Sequence, residues 1–407
     1  MSATLPKLAV LFSQFAAYHI DRCSAVAERL AGRAEVLAVE VASASDAYAW
    51  EPSGAVAGAT KVTLFPGRNY DAVGLFARFW RQWLTLRRCQ IVCIGISYHN
   101  PDVIVLAWLL RLTGTRVILM SESKFDDLPR RGWFEVFKTL LMLPANAMIV
   151  GGLRHITYYR SLGFARRTVL PGYDGVSVAR IRSELAAHQG EPVAFDQRAF
   201  LFIGRFVPKK NLADLLDGYA LYAKAAGAAA RRLVLVGSGP EEEALRARCQ
   251  RLDIAGLVDF PGFLGPEGVA GELSRALALV LISRVEQWGL VVNEALAAGL
   301  PVIASPAVGA CDALLRNTIN GYLVEPGSSA GLAAAMQALA ENETLWNRFS
   351  AASAARADLG DVSRFADAVE VLFDGGTAAS QARIAQFLEA MGHTAEMQRA
   401  DAADYFR

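Results

Sequence analysis

Short apolar runs alternate with longer stretches of helical period along most of the chain. Leu8 to Phe12, Val36 to Val41, Val62 to Phe65, Ile91 to Ile96 and Val117 to Met120 come first. The pattern starts afresh at Phe200 to Ile203 and continues through Leu233 to Val236, Val258 to Phe260, Leu277 to Ile282, Val302 to Ala304 and Tyr322 to Val324. Strand-length runs separated by helical stretches predict parallel sheets with crossover helices. The restart predicts two of them, so the expected fold class is α/β with two doubly wound, Rossmann-like domains. Between them residues 186–197, AAHQGEPVAFDQ, are polar and broken by Gly190 and Pro192, the composition of a linker. The expected division is 1–195, 196–375, and a polar, Ala-rich tail at 376–407 that lacks strand signals and reads as helical. Ligands of open α/β sheets bind outside the carboxyl ends of the strands, and the two sheets are expected to face an interdomain cleft.

The 407 residues suit two domains of ordinary size, and 53% hydrophobic against 20% charged residues supply a core for each and exclude a disordered chain. The most apolar longer stretch, Thr139 to Val150, is shorter than a membrane span and holds Pro144 and Asn146. The run Leu8 to Phe12 is too brief for a signal-peptide core and lacks a small-residue cleavage site, so a cytoplasmic location is expected. Five scattered cysteines, Cys23, Cys89, Cys93, Cys249 and Cys311, form no CxxC pair and predict reduced, mostly buried thiols rather than disulfides or a zinc site. The net charge of +1 hides an asymmetry. Residues 1–200 carry 23 Lys and Arg against 16 Asp and Glu, the remainder 18 against 24. A basic front half suits an anionic surface.

The densest chemistry lies in EQWGLVVNEALAAGLP, Glu286 to Pro301, which follows the run Leu277 to Ile282 and opens a helix near Gly289. The first helical amides, at Gly289, Leu290 and Val291, have no intrahelical acceptor and carry about half a positive charge between them, a ready phosphate site. Gly289 lets an anion approach the backbone closely. Glu294 falls about one turn inside and can accept hydrogen bonds from a polyol, while Glu286 in the preceding loop can reach the group beyond the phosphate. A complemented helix dipole and a surface ion pair are the plain alternative. Glu294, however, is set among Leu290, Val291, Val292, Ala295, Leu296 and Ala298, and a carboxylate in a helix this apolar needs a partner.

A second cluster, FIGRFVPKKNL from Phe202 to Leu212, ends a strand at Gly204 and presents Arg205, Lys209, Lys210 and Asn211 before the next helix. Arg205 suits a forked hold on a diphosphate and Lys210 a mobile point charge. Solvated lysines on a turn describe Lys209 better. Gly237 to Pro240, GSGP, makes a tight strand-to-helix turn at the same edge, and Glu242 stands where a dinucleotide fingerprint needs a third glycine. In PGFLG, Pro261 to Gly265, the backbone of Gly262, Phe263 and Leu264 can meet a flat nucleobase, or the segment is an ordinary turn.

Together these motifs resemble the retaining, nucleotide-sugar-dependent glycosyltransferases of family 4. The resemblance runs from about Phe200 to Gly327, through GRFVPKKN, LVLVGSGP, VDFPGF, EQWGLVVNEALAAGLPVIAS and NGYLVEPG in the family's order and spacing. It implies the GT-B fold, with the donor site in the second domain, and hexosyl transfer with retention from a nucleoside-diphosphate sugar to an acceptor hydroxyl. On this likeness Arg205 and Lys210 hold the diphosphate, Glu294 the ribose, Glu286 the donor sugar, and the amides from Gly289 to Val291 a phosphate, with Gly204, Gly237 and Leu264 beside the donor. Neither a protein nucleophile, a metal nor a cofactor beyond the donor is implied, and no DxD pair stands at a strand end. Fixed cations and amides that stabilise the departing diphosphate would carry the reaction.

The front half departs from the family. Members commonly have a glycine pair after the first strand; this chain has Ser13, Gln14, Phe15, Ala16 and Ala17. Many place a histidine at the end of a middle strand, where this chain reads VILMSESKFDD. Glu122 is the first candidate for that histidine's role. Lys124 or Asp126 as acceptor contacts, and His99 of SYHNPD from a neighbouring strand end, are the others. Leu75 to Arg88, LFARFWRQWLTLRR, and Arg130 to Leu143, RRGWFEVFKTLLML, interleave aromatic and basic residues at near-helical spacing. Such helices suit an anionic membrane interface, where a peripheral enzyme meets a lipid-linked saccharide or a polysaccharide or glycolipid precursor. A core helix with its rings on the sheet and its arginines in water is the alternative. The missing histidine also admits a membrane-associated scaffold without turnover, whereas a nicotinamide-dependent oxidoreductase would need glycines that are absent. No nucleic-acid-binding module is found.

Overall fold

A computed structural model describes residues 5–44, 54–127, 129–188 and 193–392. The chain divides into two compact units, Met1–Ser177 with Val362–Arg407, and Val178–Asp361.

In the first unit seven strands form one sheet: β1 (Lys7–Phe12), β2 (Glu35–Ala44), β3 (Thr60–Asn69), β4 (Ile91–Ile94), β5 (Arg116–Ser121), β6 (Ala147–Val150) and β7 (Thr168–Pro171). Their order is β3-β2-β1-β4-β5-β6-β7 and every pairing is parallel. The helices between them are α1 (Ala17–Arg29), α2 (Leu75–Leu86), α3 (Pro101–Leu112), α4 (Gly132–Met142) and α5 (Leu153–Tyr159). Helices on both faces explain why β4 and β6 read as unbroken apolar runs, with all four residues of each buried. Alternate residues of β1 enter opposite cores, Ala9 and Leu11 into one, Leu8, Val10 and Phe12 into the other.

The second unit opens with α6 (Val178–Ala187) and continues as β8 (Ala199–Ile203), α7 (Leu212–Ala226), β9 (Leu233–Val236), α8 (Glu242–Arg251), β10 (Val258–Gly262), α9 (Pro266–Arg275), β11 (Ala276–Leu281), α10 (Leu290–Ala297), β12 (Val302–Ala304), β13 (Gly321–Leu323), α11 (Ser329–Glu341) and α12 (Glu343–Arg356). Its sheet runs β10-β9-β8-β11-β12-β13, again all parallel. From β8 the chain winds one way through β9 and β10, then returns to β11 beside β8 and winds the other way.

The units part at Ser177/Val178 and at Asp361/Val362, not near residue 195 and at 375. The reason is α13 (Ser363–Asp374), which belongs to the first unit with α14 (Ala378–Ala390). Phe365, Ala368, Val369 and Leu372 of α13 enter the core that contains Val10 and Phe12. Arg29 on α1 pairs with Asp367 and Glu370, and Arg33 with Glu370 and Asp374. A helical apolar stripe shows that a face is buried but not which sheet buries it. Gly190 and Pro192 of the expected linker lie outside the described residues, as do 393–407 of the tail. All five cysteines are buried free thiols. Among the described residues no helix is long and apolar enough to cross a membrane.

Candidate functional site

Two loops leave the carboxyl ends of β8 and β11, the neighbouring strands at which the winding reverses, which is where ligands of such sheets collect. The turn Pro208–Lys210 after β8 ends on Asn211, buried and left-handed at φ 59°, which starts α7. Its Nδ2 donates to the Ile282 carbonyl at 3.3 Å, Arg284 Nε donates to its Oδ1 at 2.9 Å, and the Arg284 amide donates to the Lys209 carbonyl at 2.8 Å. These bonds fasten one loop to the other and bring Lys210 Nζ onto Glu286 Oε2. Ser283 Oγ donates to the same oxygen at 3.1 Å. The pair is little exposed, 13% for Lys210 and 10% for Glu286, so each charge depends on the other. A lysine in this position can exchange its carboxylate for a phosphate oxygen without leaving the site.

Beyond Glu286 the chain reaches Gly289, which caps α10 at φ 97°, a conformation glycine adopts without penalty. A side chain there would press on Val308, Leu281 and the Glu286 methylene at 3.1 to 3.3 Å. Among the described residues the amides of Gly289, Leu290 and Val291 donate no hydrogen bond, so the start of α10 offers a row of donors. Half-buried Glu294 lies one turn on, and no hydrogen bond or ion pair reaches its carboxylate among the described residues. The partner expected for it is not a side chain. Burial pushes its carboxyl up to about 7, with Arg180 on α6 pulling it down and Glu184, paired to Arg180 at 2.7 Å, pushing it up.

The remaining donor-side candidates sit on the same edge. The Gly204 amide donates to the Val236 carbonyl (3.0 Å), Gly237 to Gly262 (2.8 Å) and Phe206 to Ser238 (2.9 Å). A Cβ at Gly237 would meet the Gly204 carbonyl oxygen at 1.9 Å. Gly237 is glycine because two loop backbones pass in contact there. Arg205 is exposed on this edge, and half-buried Leu264 follows β10.

In the first unit the loop after β1 turns its amides inward. Phe15 N–H donates to Glu40 Oε2 (2.9 Å) and Ala16 N–H to His19 Nδ1 (3.0 Å). Glu122 is half-buried after β5, and burial first, then the Glu122 charge, hold the buried carboxyl of Asp174 after β7 well above the usual carboxylate range. Lys124 is fully buried, its Nζ 2.7 Å from Asp127 and 3.2 Å from Asp126, which also holds Arg154 at 2.8 Å. A lysine enclosed this way is no acceptor contact, contrary to the candidacy its position suggests. His99 has Ser97 Oγ at 3.1 Å from its Nδ1 and stacks on Phe134, with burial and Lys138 lowering its pKa. Asp174, Arg22, Ser283 and Arg284 belong to no motif of the sequence and join these sites only through the fold. The one sequence signal for Asp174 is its place just after a four-residue strand.

The aromatic and basic segments are helices α2 and α4, and they divide their side chains. On α2, Arg78 and Gln82 are buried on Asp102 at 3.3 and 3.0 Å, and Phe79 and Trp83 pack on the core. Phe76 and Trp80 point outward, stacked at 6.4 Å, beside exposed Arg81. On α4, Trp133, Val136, Phe137 and Leu140 are exposed. Among the described residues no group of three or more His, Cys, Asp or Glu is placed to hold a metal ion.

Residues 186–356 match the family described as Glycosyl transferases group 1. The chain is similar to a phosphatidyl-myo-inositol mannosyltransferase of Mycobacterium leprae, 36% identical over 162 residues that cover 39% of this chain and 41% of that protein. It thus spans about two fifths of that relative's length. It is also similar to the lipopolysaccharide core biosynthesis glycosyltransferase LpsD of Rhizobium meliloti, 28% identical over 62% of this chain and 68% of that one. Among solved structures, the Anabaena protein HepE in complex with UDP and glucose superposes with a TM-score of 0.69 at 18% identity, over 91% of this chain and 100% of that one. The fold is the expected GT-B fold of two Rossmann-like domains.

Proposed function

Residues 186–356 belong to the Glycosyl transferases group 1 family, and from that premise we propose that the chain moves a sugar from a nucleoside-diphosphate sugar to an acceptor hydroxyl, with retention and without a metal. The carrying observation is the convergence of the Lys210–Glu286 pair and the unpaired amides of Gly289 to Val291 at the reversal point of one sheet. In this reading Lys210, Arg205 and those amides take the diphosphate, whose charge grows as the sugar–oxygen bond loosens, which is where preorganised donors act most strongly. Lys210 moves from Glu286 to phosphate and frees Glu286 for the sugar hydroxyls. Glu294 takes the ribose hydroxyls, and the loop at Leu264 lies against the base. The charge met by cations and amides leaves no part for a metal, so turnover is expected to persist in excess chelator. A strict requirement for added magnesium would contradict this.

HepE binds UDP and glucose in its crystals, and the relatives include a phosphatidyl-myo-inositol mannosyltransferase and a lipopolysaccharide core glycosyltransferase. We therefore place a UDP-sugar first among donors and a membrane-held saccharide or glycolipid precursor first among acceptors. A thermal-shift screen across UDP, GDP and their sugars tests the donor, because a ligand stabilises in proportion to its affinity. A shift with one nucleotide series is expected, and none with any would remove the proposal. The outward rings of α2 and α4, with Arg81 nearby, support docking on the cytoplasmic face of an anionic membrane. Vesicles rich in phosphatidylglycerol should bind the protein at low salt, release it at high salt, and bind the Trp80→Ala, Arg81→Ala double variant weakly. Equal binding by the variant would count against this surface.

A further inference from the structure

We infer that Trp288 and Asn293 are positioning residues for the phosphate site, holding the start of α10 in place so that the amides of Gly289, Leu290 and Val291 stay aimed at the diphosphate. This rests on the glycosyl-transfer reading above. Helix α10 is eight residues long, opens on Leu290, Val291, Val292 and Asn293, and has no side-chain cap at Gly289. A helix that short does not hold itself in water, and valine and asparagine weaken it further. A Ser, Thr, Asp or Asn cap would steady its first turn, but its side chain would occupy an amide of that turn that is otherwise open to phosphate. The start of α10 is therefore steadied from elsewhere in the fold.

A chain of two buried hydrogen bonds does this. Trp288, the residue before Gly289, is 2% exposed, and its Nε1–H donates to Asn293 Oδ1 at 2.9 Å, spanning the turn from loop to helix. Asn293, 1% exposed, donates in turn from Nδ2 to the Gly360 carbonyl at 2.9 Å, at the end of the turn Ala357–Gly360 that follows α12. The approach is close, since a Cβ at Gly360 would stand 2.7 Å from Asn293 Nδ2. Glycine at 360 is what lets the amide reach its acceptor. The loop before α10 is tied by its backbone, with the Gly309 amide donating to the Glu286 carbonyl at 3.3 Å and the Ala310 amide to the Trp288 carbonyl at 3.0 Å. At the other end of the helix Arg182 on α6 donates to the carbonyls of Ala297 at 3.4 Å and Ala354 at 3.3 Å. All of these anchors leave the first three amides of α10 open. Both side chains are enclosed, so Trp288 and Asn293 act on a ligand only through those amides. Donors fixed in place before charge develops need no reorganisation when it does.

The distinguishing variant is Trp288→Phe, which keeps an aromatic ring and removes the donor. Kd is measured for UDP or GDP, whichever the parent binds, and for the matching nucleoside, by calorimetry and ligand-observed NMR below the melting transition of each variant. Trp288→Phe should weaken the diphosphate about tenfold, the low end of what one charged hydrogen bond contributes, and leave the nucleoside within about twofold, because Asn293 and the adjoining Glu294 remain tied to Gly360. Asn293→Leu breaks both bonds and should weaken the diphosphate at least as much. The double variant should bind it no more weakly than Asn293→Leu alone, since residues of one network do not act additively. Gly360→Ala leaves both side chains present, presses on Asn293 Nδ2 from 67 positions along the chain, and should weaken the diphosphate in the same direction. A pair with a purely structural role would lower the melting temperature and keep the parental diphosphate affinity. That result, or effects of Trp288→Phe and Asn293→Leu that multiply, would overturn the assignment. Failure of the parent to bind any nucleotide refutes the underlying reading instead, so the two failures are separable.

Discussion

Replacing Lys210 by alanine is expected to lower kcat/KM for the donor by tenfold to a hundredfold. The magnitude follows from the loss of one charged hydrogen bond to the departing diphosphate, about 1.5 to 3 kcal/mol. Affinity for the free nucleoside diphosphate should fall by a similar factor, because the product carries the charge that Lys210 meets. The variant also strips Glu286 of its cation and leaves it Ser283 alone, so a moderate drop in melting temperature accompanies the loss. The double variant Lys210→Ala, Glu286→Gln separates the two effects: stability should recover while turnover stays low. Recovery of turnover together with stability would mean that Lys210 serves only to neutralise Glu286.

Glu294→Gln is expected to make the free protein more stable and the nucleotide complex weaker. Burial holds the Glu294 carboxyl at about 7 in the folded chain, against an ordinary value of 4.5. Folding therefore takes up a proton between those values, and the parent loses stability as pH rises from 4.5 through 7. The glutamine variant escapes that loss, which amounts to on the order of 2 kcal/mol for this half-buried group. Its melting temperature should exceed the parent's at pH 8 and approach it near pH 4.5. Ribose hydroxyls donate best to the ionised carboxylate, so nucleotide affinity in the parent should weaken as pH falls below 7, and in Glu294→Gln it should be lower and flat. Parental affinity in the variant would assign Glu294 a purely structural place.

What the sequence makes legible here is whatever is local. Most strands lie where the apolar runs do, and β9 and β12 coincide with theirs. The start of α10 is equally readable, since a buried strand, a glycine and an apolar helix follow one another within a few residues. Three features depend on contacts between distant residues. Lys210 and Glu286 are 76 positions apart and meet because Asn211 and Arg284 bind across their loops. Strands β6 and β7 are four residues each, too short for an alternating pattern, so the acid at 174 gave no sign of standing beside Glu122. Helix α13 follows the second sheet in sequence but buries its apolar stripe in the first unit, which no periodicity records. The glycine pair absent after β1 is explained by the fold, where Glu40 and His19 accept the amides of Phe15 and Ala16.

The decisive measurement is a crystal structure of the protein with whichever of UDP or GDP shifts its melting temperature. The account predicts the phosphates against the amides of Gly289, Leu290 and Val291, with Lys210 turned from Glu286 to a phosphate oxygen and Glu294 on the ribose. A nucleotide bound away from the start of α10, with the Lys210–Glu286 pair intact, would contradict it.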